Sequence, residues 1–592
     1  MHSICRWAIL DKFTRFAMGK AFSILTTTKF VTYGAWLLYG WWRATPALAQ
    51  NIELIPPEPD NLEQVPPLPP DSNPLQKVPA PPNPNTVTDI PGSIKVKHFD
   101  FAGNTVFTDA ELNQELAAYT EKPISFARLI EAANQISELY IAAGYITSGA
   151  YVPAQSLKSG RVQIQIVEGS LAEIEVEVAG RLKESYVRNR LERRIEAPLN
   201  IERLQSALQL LQLNPLIASL NAELSAGIEP GTNVLSVSAV SADTFTLQAR
   251  LNNSRNLSIG TFERGIELEE QSLFGRGDRL RLAYDNTAGS NQYSGGYTFP
   301  LNSLDGSLSF DFRWAENEIV QSSFETADFD IAARNYDLTW RQPLLQQASA
   351  EQSQELALGL TASRRESDGT IADLPQRLTP GANEAGEIRT SVVSFSQEWL
   401  QRSRRQVISA RSQFNLGVDA FGATILDEEP DSQFFSWRGQ VAYLRALTQT
   451  QQTFGSTVLL RSELQLAADP LISTEQFSLG GATTVRGYRQ DALLTDNGFL
   501  ATAELRLPIA RFEPVDATLQ FSPFLDFGTG WNDDGEVTEF NTVIGTGFGL
   551  LLQTPESFSA RIDWGLPLKD RISEGSSLQE DGIYFQLQYD LF

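Results

Sequence analysis

Across its last 347 residues, 246–592, the chain alternates apolar and polar side chains with period two over many short stretches and shows no helical period. Arg279-Leu-Arg-Leu-Ala-Tyr284, Ser307-Leu-Ser-Phe-Asp-Phe-Arg-Trp314 and Tyr584-Phe-Gln-Leu-Gln-Tyr-Asp-Leu591 are examples. In the last of these, Ile583, Phe585, Leu587, Tyr589 and Leu591 fall on one side of an extended chain, with Gln586, Gln588 and Asp590 on the other. Such strands have a dry face and a wet one, which suits either a soluble β-sandwich or a membrane barrel with a wet lumen. All six tryptophans that follow residue 49 (Trp314, Trp340, Trp399, Trp437, Trp531, Trp564) lie in this part. Aromatic girdles at two membrane interfaces would explain that asymmetry. Inner faces bearing Gln and Asp also fit a lumen better than a sandwich core. The expectation is therefore a transmembrane antiparallel β-barrel. Sixteen strands would allot about 22 residues to each strand and its connection, although twelve to eighteen are compatible. The polar stretches 364–388 and 422–431 are expected to be extracellular loops.

Rare residues exclude much enzyme chemistry. The chain has one Cys, two His and two Met, and Met1, His2, Cys5 and Met18 all fall in the first twenty positions, leaving His98 alone beyond them. Cys/His zinc sites, disulfide frameworks and His-dependent triads are thereby removed. No catalytic residue, metal site or cofactor is expected, and the chain is read as not an enzyme. With 47 basic against 72 acidic residues the net charge is −25, which argues against a basic nucleic-acid surface.

Residues 1–29 are basic, 30–42 (FVTYGAWLLYGWW) are mostly apolar, and Ala47-Leu-Ala49 follows. This order predicts a secretory signal, 1–49, cleaved after Ala49, since thirteen residues are too few to span a ~30 Å hydrocarbon core as a helix. The long basic region suggests translation from Met18 as an alternative to Met1. Cleavage would leave 41 basic against 71 acidic residues, a net −30. Residues 50–93 form a proline-rich linker, with thirteen of the thirty prolines between 55 and 91. Proline lacks the amide donor, so neither a helix nor a central strand is expected there, only a stiff spacer or a disordered tail.

Two α/β units follow, 94–169 and 170–245. In the first, 94–99 reads as a strand. Thr108 and Glu111 form a capping box, and Ser125 opens a helix whose Phe126, Leu129, Ile130, Ala133, Ile136, Leu139, Tyr140 and Ala143 share one face, with Gly144 stopping it. Strands at 146–152 and 162–169 complete the unit. The second unit repeats the order with a strand at 174–180, helices at 184–194 and 201–213, and strands at 217–225 and 234–240. The order β-α-α-β-β thus occurs twice.

This repeat, with Phe101-Ala-Gly103-Asn104-Thr105-Val-Phe107 and Val162 to Gly169 in the first copy and Gly180 and Pro230-Gly231-Thr-Asn-Val-Leu235 in the second, resembles tandem POTRA (polypeptide-transport-associated) domains. A second signature lies in the barrel part. Val485-Arg486-Gly487-Tyr488 follows the paired Gly480-Gly481, and Phe524-Leu-Asp526-Phe-Gly528 comes some forty residues later. On spacing alone, Arg486 is a loop arginine and Asp526 a solvated lumen carboxylate. The two motifs in this order, however, resemble the Omp85 superfamily, and the pair of POTRA units resembles its two-partner secretion transporters (TpsB/ShlB/FhaC-like, the haemolysin activators). The resemblance covers about 94–592. It implies that the loop carrying Arg486 folds into the lumen and meets Asp526 on the inner wall, and that Phe592 is a terminal aromatic signal read by the barrel-assembly machinery during biogenesis. Those exporters often begin with a lumen-plugging helix, for which the proline-rich 50–93 offers no match.

The implied function is export. Periplasmic POTRA domains would bind an unfolded exoprotein bearing an N-terminal secretion domain, and the barrel, set in outer-membrane lipid, would pass it outward. No GxxxxGK[ST] phosphate loop is present to supply nucleotide energy. The alternatives are an insertase that assembles other barrels, a diffusion porin, and an outer-membrane hydrolase. The hydrolase reading lacks a Gly-x-Ser-x-Gly elbow with a partnering His.

Overall fold

In our computed structural model the described residues are 74–79, 93–157, 160–321, 329–427, 430–448, 455–532, 541–554, 557–569 and 577–591. The expected signal 1–49 with its Met18 start, most of the linker 50–93 and Phe592 lie outside them.

A first α/β module starts with the short strands β2 (Ser93–Lys95) and β3 (His98–Ala102). The single strand expected at 94–99 is thus split. β2 pairs with β4 (Pro123–Ser125), whereas β3 pairs in parallel with β6 (Arg161–Val167), and the buried Val96 lies at the crossing between the two sheets. Helix α1 (Asp109–Glu115) opens on the full capping box, with the Thr108 hydroxyl accepting from the Glu111 amide and the Glu111 carboxylate accepting from the Thr108 amide. Helix α2 (Phe126–Ala142) is capped by Ser125 and buries Leu129, Ala133, Ile136 and Tyr140. β5 (Gly149–Tyr151), shorter than the expected 146–152, completes the sheet order β3-β6-β5.

The second module repeats this topology with β7 (Ser170–Ala179), α3 (Glu184–Arg194), α4 (Ile201–Gln212), β8 (Ile217–Ala226) and β9 (Thr232–Ser241). Its sheet runs β7-β9-β8, again with the first strand parallel to the last. Beyond β8 the sheet gains β1 (Leu75–Lys77), contributed by the proline-rich segment. Prolines bracket these residues at 74 and 79 but leave 75–78 free to pair, so part of the expected spacer is an edge strand. Asn200 bolts the modules together. Its side-chain oxygen accepts from the Glu202 and Arg203 amides at the start of α4, while its nitrogen donates to the Ala143 carbonyl at the end of α2, 3.1 Å away.

Glu168 closes the first module. Its carboxylate accepts from the Thr105 hydroxyl and amide, the Val106 amide and the Tyr140 hydroxyl, at 2.5–3.0 Å. Burial pushes its pKa up, but the Thr105, Tyr140 and Val106 hydrogen bonds outweigh that and hold it below the usual carboxylate range. The turn after β3 and the end of β6, both part of the POTRA resemblance, are joined through this residue.

Sixteen long antiparallel strands among the described residues close a barrel, the first (Phe245–Asn252) pairing with the last (Ile583–Asp590). Alternation decides the faces. In Ser307–Glu318, Leu308, Phe310, Phe312 and Trp314 project outward, each at least 36% exposed to the space that lipid would fill, while Asp311 and Arg313 turn in. Residues 364–371, expected in a loop, belong to the strand Gln352–Ile371, which pairs with Phe329–Ala348. Each of these strands has twenty residues, about 66 Å at ~3.3 Å per residue, more than a tilted crossing of a ~30 Å hydrocarbon core requires. The hairpin therefore continues beyond the membrane, and its polar sequence reflects exposure to water rather than loss of strand.

The second module docks against the turns at one end of the barrel. Arg190 and Arg194 pair with Asp305, Arg181 pairs with Glu270, and the Ala348 amide donates to the Ser206 hydroxyl. That end is the periplasmic one, where connections such as 349–351 and 404–405 are short.

Candidate functional site

The segment between strands Thr457–Ala467 and Asn497–Phe512 turns into the lumen instead of crossing over the rim. Phe477–Leu479 and Leu493–Thr495 pair as a small hairpin, and Gly480 and Gly481, with φ of 110° and 103°, take the backbone through a reversal closed to L side chains. Phe477, Leu479, Val485, Tyr488 and Leu493 pack with Leu500 and Val543 of the wall into one buried cluster. The loop therefore carries its own apolar core, which anchors its tip.

At that tip Arg486 is 2% exposed. Its Nε and Nη2 donate to the two Asp526 oxygens at 2.8 and 2.9 Å, and its backbone amide donates to the same carboxylate at 3.1 Å. A guanidinium fork matches a carboxylate in this way and an ammonium cannot. Nη1 donates to Glu504 at 2.9 Å, and the Phe524 ring lies beneath the guanidinium carbon at 3.4 Å. Glu504 in turn accepts from Arg561 and Arg506, and Arg561 donates to Asp563. Three arginines thus face three carboxylates in one connected network.

Backbone contact sets the depth of the tip. Gly487, with φ of 102°, lies against Gly565 of the strand Phe558–Pro567, where a Cβ on Gly565 would sit 2.4 Å from the Gly487 nitrogen. A Cβ on Gly545, in Thr542–Gln553, would sit 1.8 Å from the Arg486 carbonyl oxygen. Gly528 leaves room for Leu479 and Val485, which a Cβ there would meet at 2.7 and 3.0 Å. The Tyr584 hydroxyl accepts from the Gly487 amide at 2.9 Å and donates to the Tyr488 carbonyl at 2.5 Å. The Tyr488 hydroxyl bridges the backbone at Ile544 and Lys569.

The structure therefore brings Val485, Arg486, Gly487 and Tyr488 onto Phe524, Asp526 and Gly528. Sequence reading missed Glu504, Arg506, Arg561, Asp563, Tyr584, Gly545 and Gly565. One signal was available: Gly545, Gly547 and Gly549 recur at every second position, which bares one face of a strand to a close backbone neighbour.

A sixteen-stranded barrel holding such a loop, preceded by two β-α-α-β-β modules, defines an outer-membrane transporter of the Omp85 type with its POTRA domains in the periplasm. Family comparison makes this specific. The chain matches the haemolysin secretion/activation protein family ShlB/FhaC/HecB over residues 231–552 and the ShlB-type POTRA domain over 94–169. It belongs to that family, and is a two-partner secretion transporter whose partner is a secreted exoprotein. Among curated relatives, the outer membrane transporter CdiB of Dickeya dadantii is 23% identical, over 74% of this chain and 76% of the relative. The heme/hemopexin transporter protein HuxB of Haemophilus influenzae is 22% identical, over 82% of this chain and 85% of its own length. Solved structures of CdiB from Escherichia coli and Acinetobacter baumannii share the fold, with TM-scores of 0.63 and 0.60 at 20% and 17% identity. They cover 87% and 89% of this chain and 94% and 95% of their own.

Proposed function

We propose that the loop bearing Arg486 is the element that regulates passage of an unfolded exoprotein through the lumen. The observation that carries this reading is the burial of Arg486 in a complete charge network at the lumen wall. A buried arginine with all its partners fixes position, and losing one partner strands a charge in a poorly solvated place. The paired state holds the loop, and its release or displacement admits the cargo. Val485 and Tyr488 seat the loop, Gly487 and Gly528 admit it, and Phe524 and Asp526 receive it.

The rest of the chain is assigned accordingly. Residues 1–49 are a signal removed after Ala49, 50–93 link it to POTRA domains at 94–169 and 170–245, and 246–592 form the barrel. The POTRA domains capture an exoprotein carrying an N-terminal secretion domain, by its pairing with sheet edges and packing in the apolar groove between helix and sheet. The barrel-assembly machinery reads Phe592 and places the barrel among outer-membrane lipids.

Secretion by Arg486→Ala, with loop accessibility to protease, tests the regulatory role. Reduced export together with a protease-sensitive loop is expected; wild-type export from a loop that stays protected would refute it. Crosslinking from the two POTRA domains separates the exporter from an insertase, since the first recovers one exoprotein and the second many barrel precursors.

A further inference from the structure

The second POTRA sheet is extended by a strand from outside its own module. β8 has β9 on one side only, so its other edge presents amides and carbonyls that can take an added chain. β1 adds there in parallel, with Leu75 opposite Ala222 and Lys77 opposite Glu223, and the Ala222 amide donates to the Pro74 carbonyl at 2.8 Å. Leu75 is 5% exposed and enters the module core beside residues such as Leu224 and Leu235.

The strand has three residues against ten in β8, and its register shifts between Leu75 and Lys77. Gln76 donates to Asn221 at 2.7 Å in an exposed position, and Lys77 lies 4.0 Å from Glu223 with both side chains more than half exposed. Pro74 and Pro79 bring no amide donor, so each withholds a hydrogen bond that another residue could offer a ladder at that position. One apolar anchor and a short, proline-limited parallel ladder make a weak contact, sustained by being intramolecular.

We infer that the β8 edge is a docking strand for extended polypeptide, and that residues 74–79 cover it in cis until an extended segment of the exported chain, with an apolar residue for the Leu75 pocket, displaces them. A cargo segment without flanking prolines would form more of the ladder than β1 does and fill the same pocket. The inference rests on the export reading for the identity of the competitor. The occupied edge itself does not depend on it.

A disulfide tests the cover in the full chain. In a Cys5→Ser background, Gln76→Cys with Asn221→Cys should oxidise to a bridged form, whereas Gln76→Cys with Glu177→Cys on the far edge strand should not. Bridging should lower cargo capture and export about tenfold, restored by reductant. Failure to bridge, or a bridged protein that exports at the wild-type rate, overturns the inference. A cargo-free arm uses a synthetic peptide of residues 73–79 added to a variant whose own 74–79 are replaced by Gly-Ser repeats. Saturable binding is expected, lost when the peptide's leucine is replaced by aspartate. Absence of binding removes the docking edge even if export proceeds, whereas binding without any export by the reduced wild type would remove the export reading alone.

Discussion

Arginine–carboxylate contacts occur at two junctions of this molecule, the loop tip and the module contact, and they are built oppositely. At the loop tip, Arg486, Asp526 and Glu504 have side chains at most 2% exposed, with glycine backbones pressed against them. Where the second POTRA module meets the barrel, Arg190 is buried but its partner Asp305 is 32% exposed, and in the Arg181–Glu270 pair the arginine is 59% exposed. The chemistry is shared and the solvation is not. A desolvated pair resists loss of either member, whereas a half-wet pair exchanges its partner for water at little cost. The first contact is suited to a state that is kept or lost as a whole, the second to hinged movement of the modules.

The contrast can be broken most strongly at the tip. Asp526→Ala leaves Arg486 facing a vacant wall and should destabilise the seated loop by about 3–5 kcal/mol, read as protease cleavage within 477–495 and loss of export. Gly545→Ala separates shape from charge. It keeps every ion pair but places a methyl on the Arg486 carbonyl, and about 1–3 kcal/mol of overpacking should unseat the loop in the same assay. A loop that stays protected in Gly545→Ala would show that charge alone seats it. At the module contact, Asp305→Ala takes the shared carboxylate from Arg190 and Arg194 and should cost about 1–3 kcal/mol, broadening spin-label distances between α3 and the barrel without exposing the loop. Smallest of all, Arg181→Ala should change the same distances by an amount that vanishes as salt rises to ~1 M, where the screening length is about 3 Å. If raised salt also exposed the loop, the distinction between the two contacts would fail.

Legibility in the sequence followed the range of the interactions. Capping at Thr108, the α2 face and the period-two strands depend on neighbours in the chain, and the helices formed within a residue or so of the expected 184–194 and 201–213. The barrel was legible as a pattern of faces, and its closure followed from them. The tip network was half legible. Arg486 and Asp526 stand in recognisable motifs, but Glu504, Arg561 and Asp563 come from three strand positions whose register no local pattern reveals. The strand at 75–77 was hidden for a different reason. Proline density governs the composition of 50–93, and the three residues Leu75-Gln-Lys77 form a strand only because a sheet edge far along the sequence accepts them. Similarly, 364–371 read as loop because strands beyond the membrane no longer need an apolar face, whereas 376–386 do lie between strands as expected.

The contacts at the tip join three guanidinium groups to three carboxylates, so these six charges largely offset one another. By themselves these six groups offer a passing polypeptide neither a cation trap nor an anion barrier. The cluster that seats the loop is thus rich in charge yet close to neutral by count.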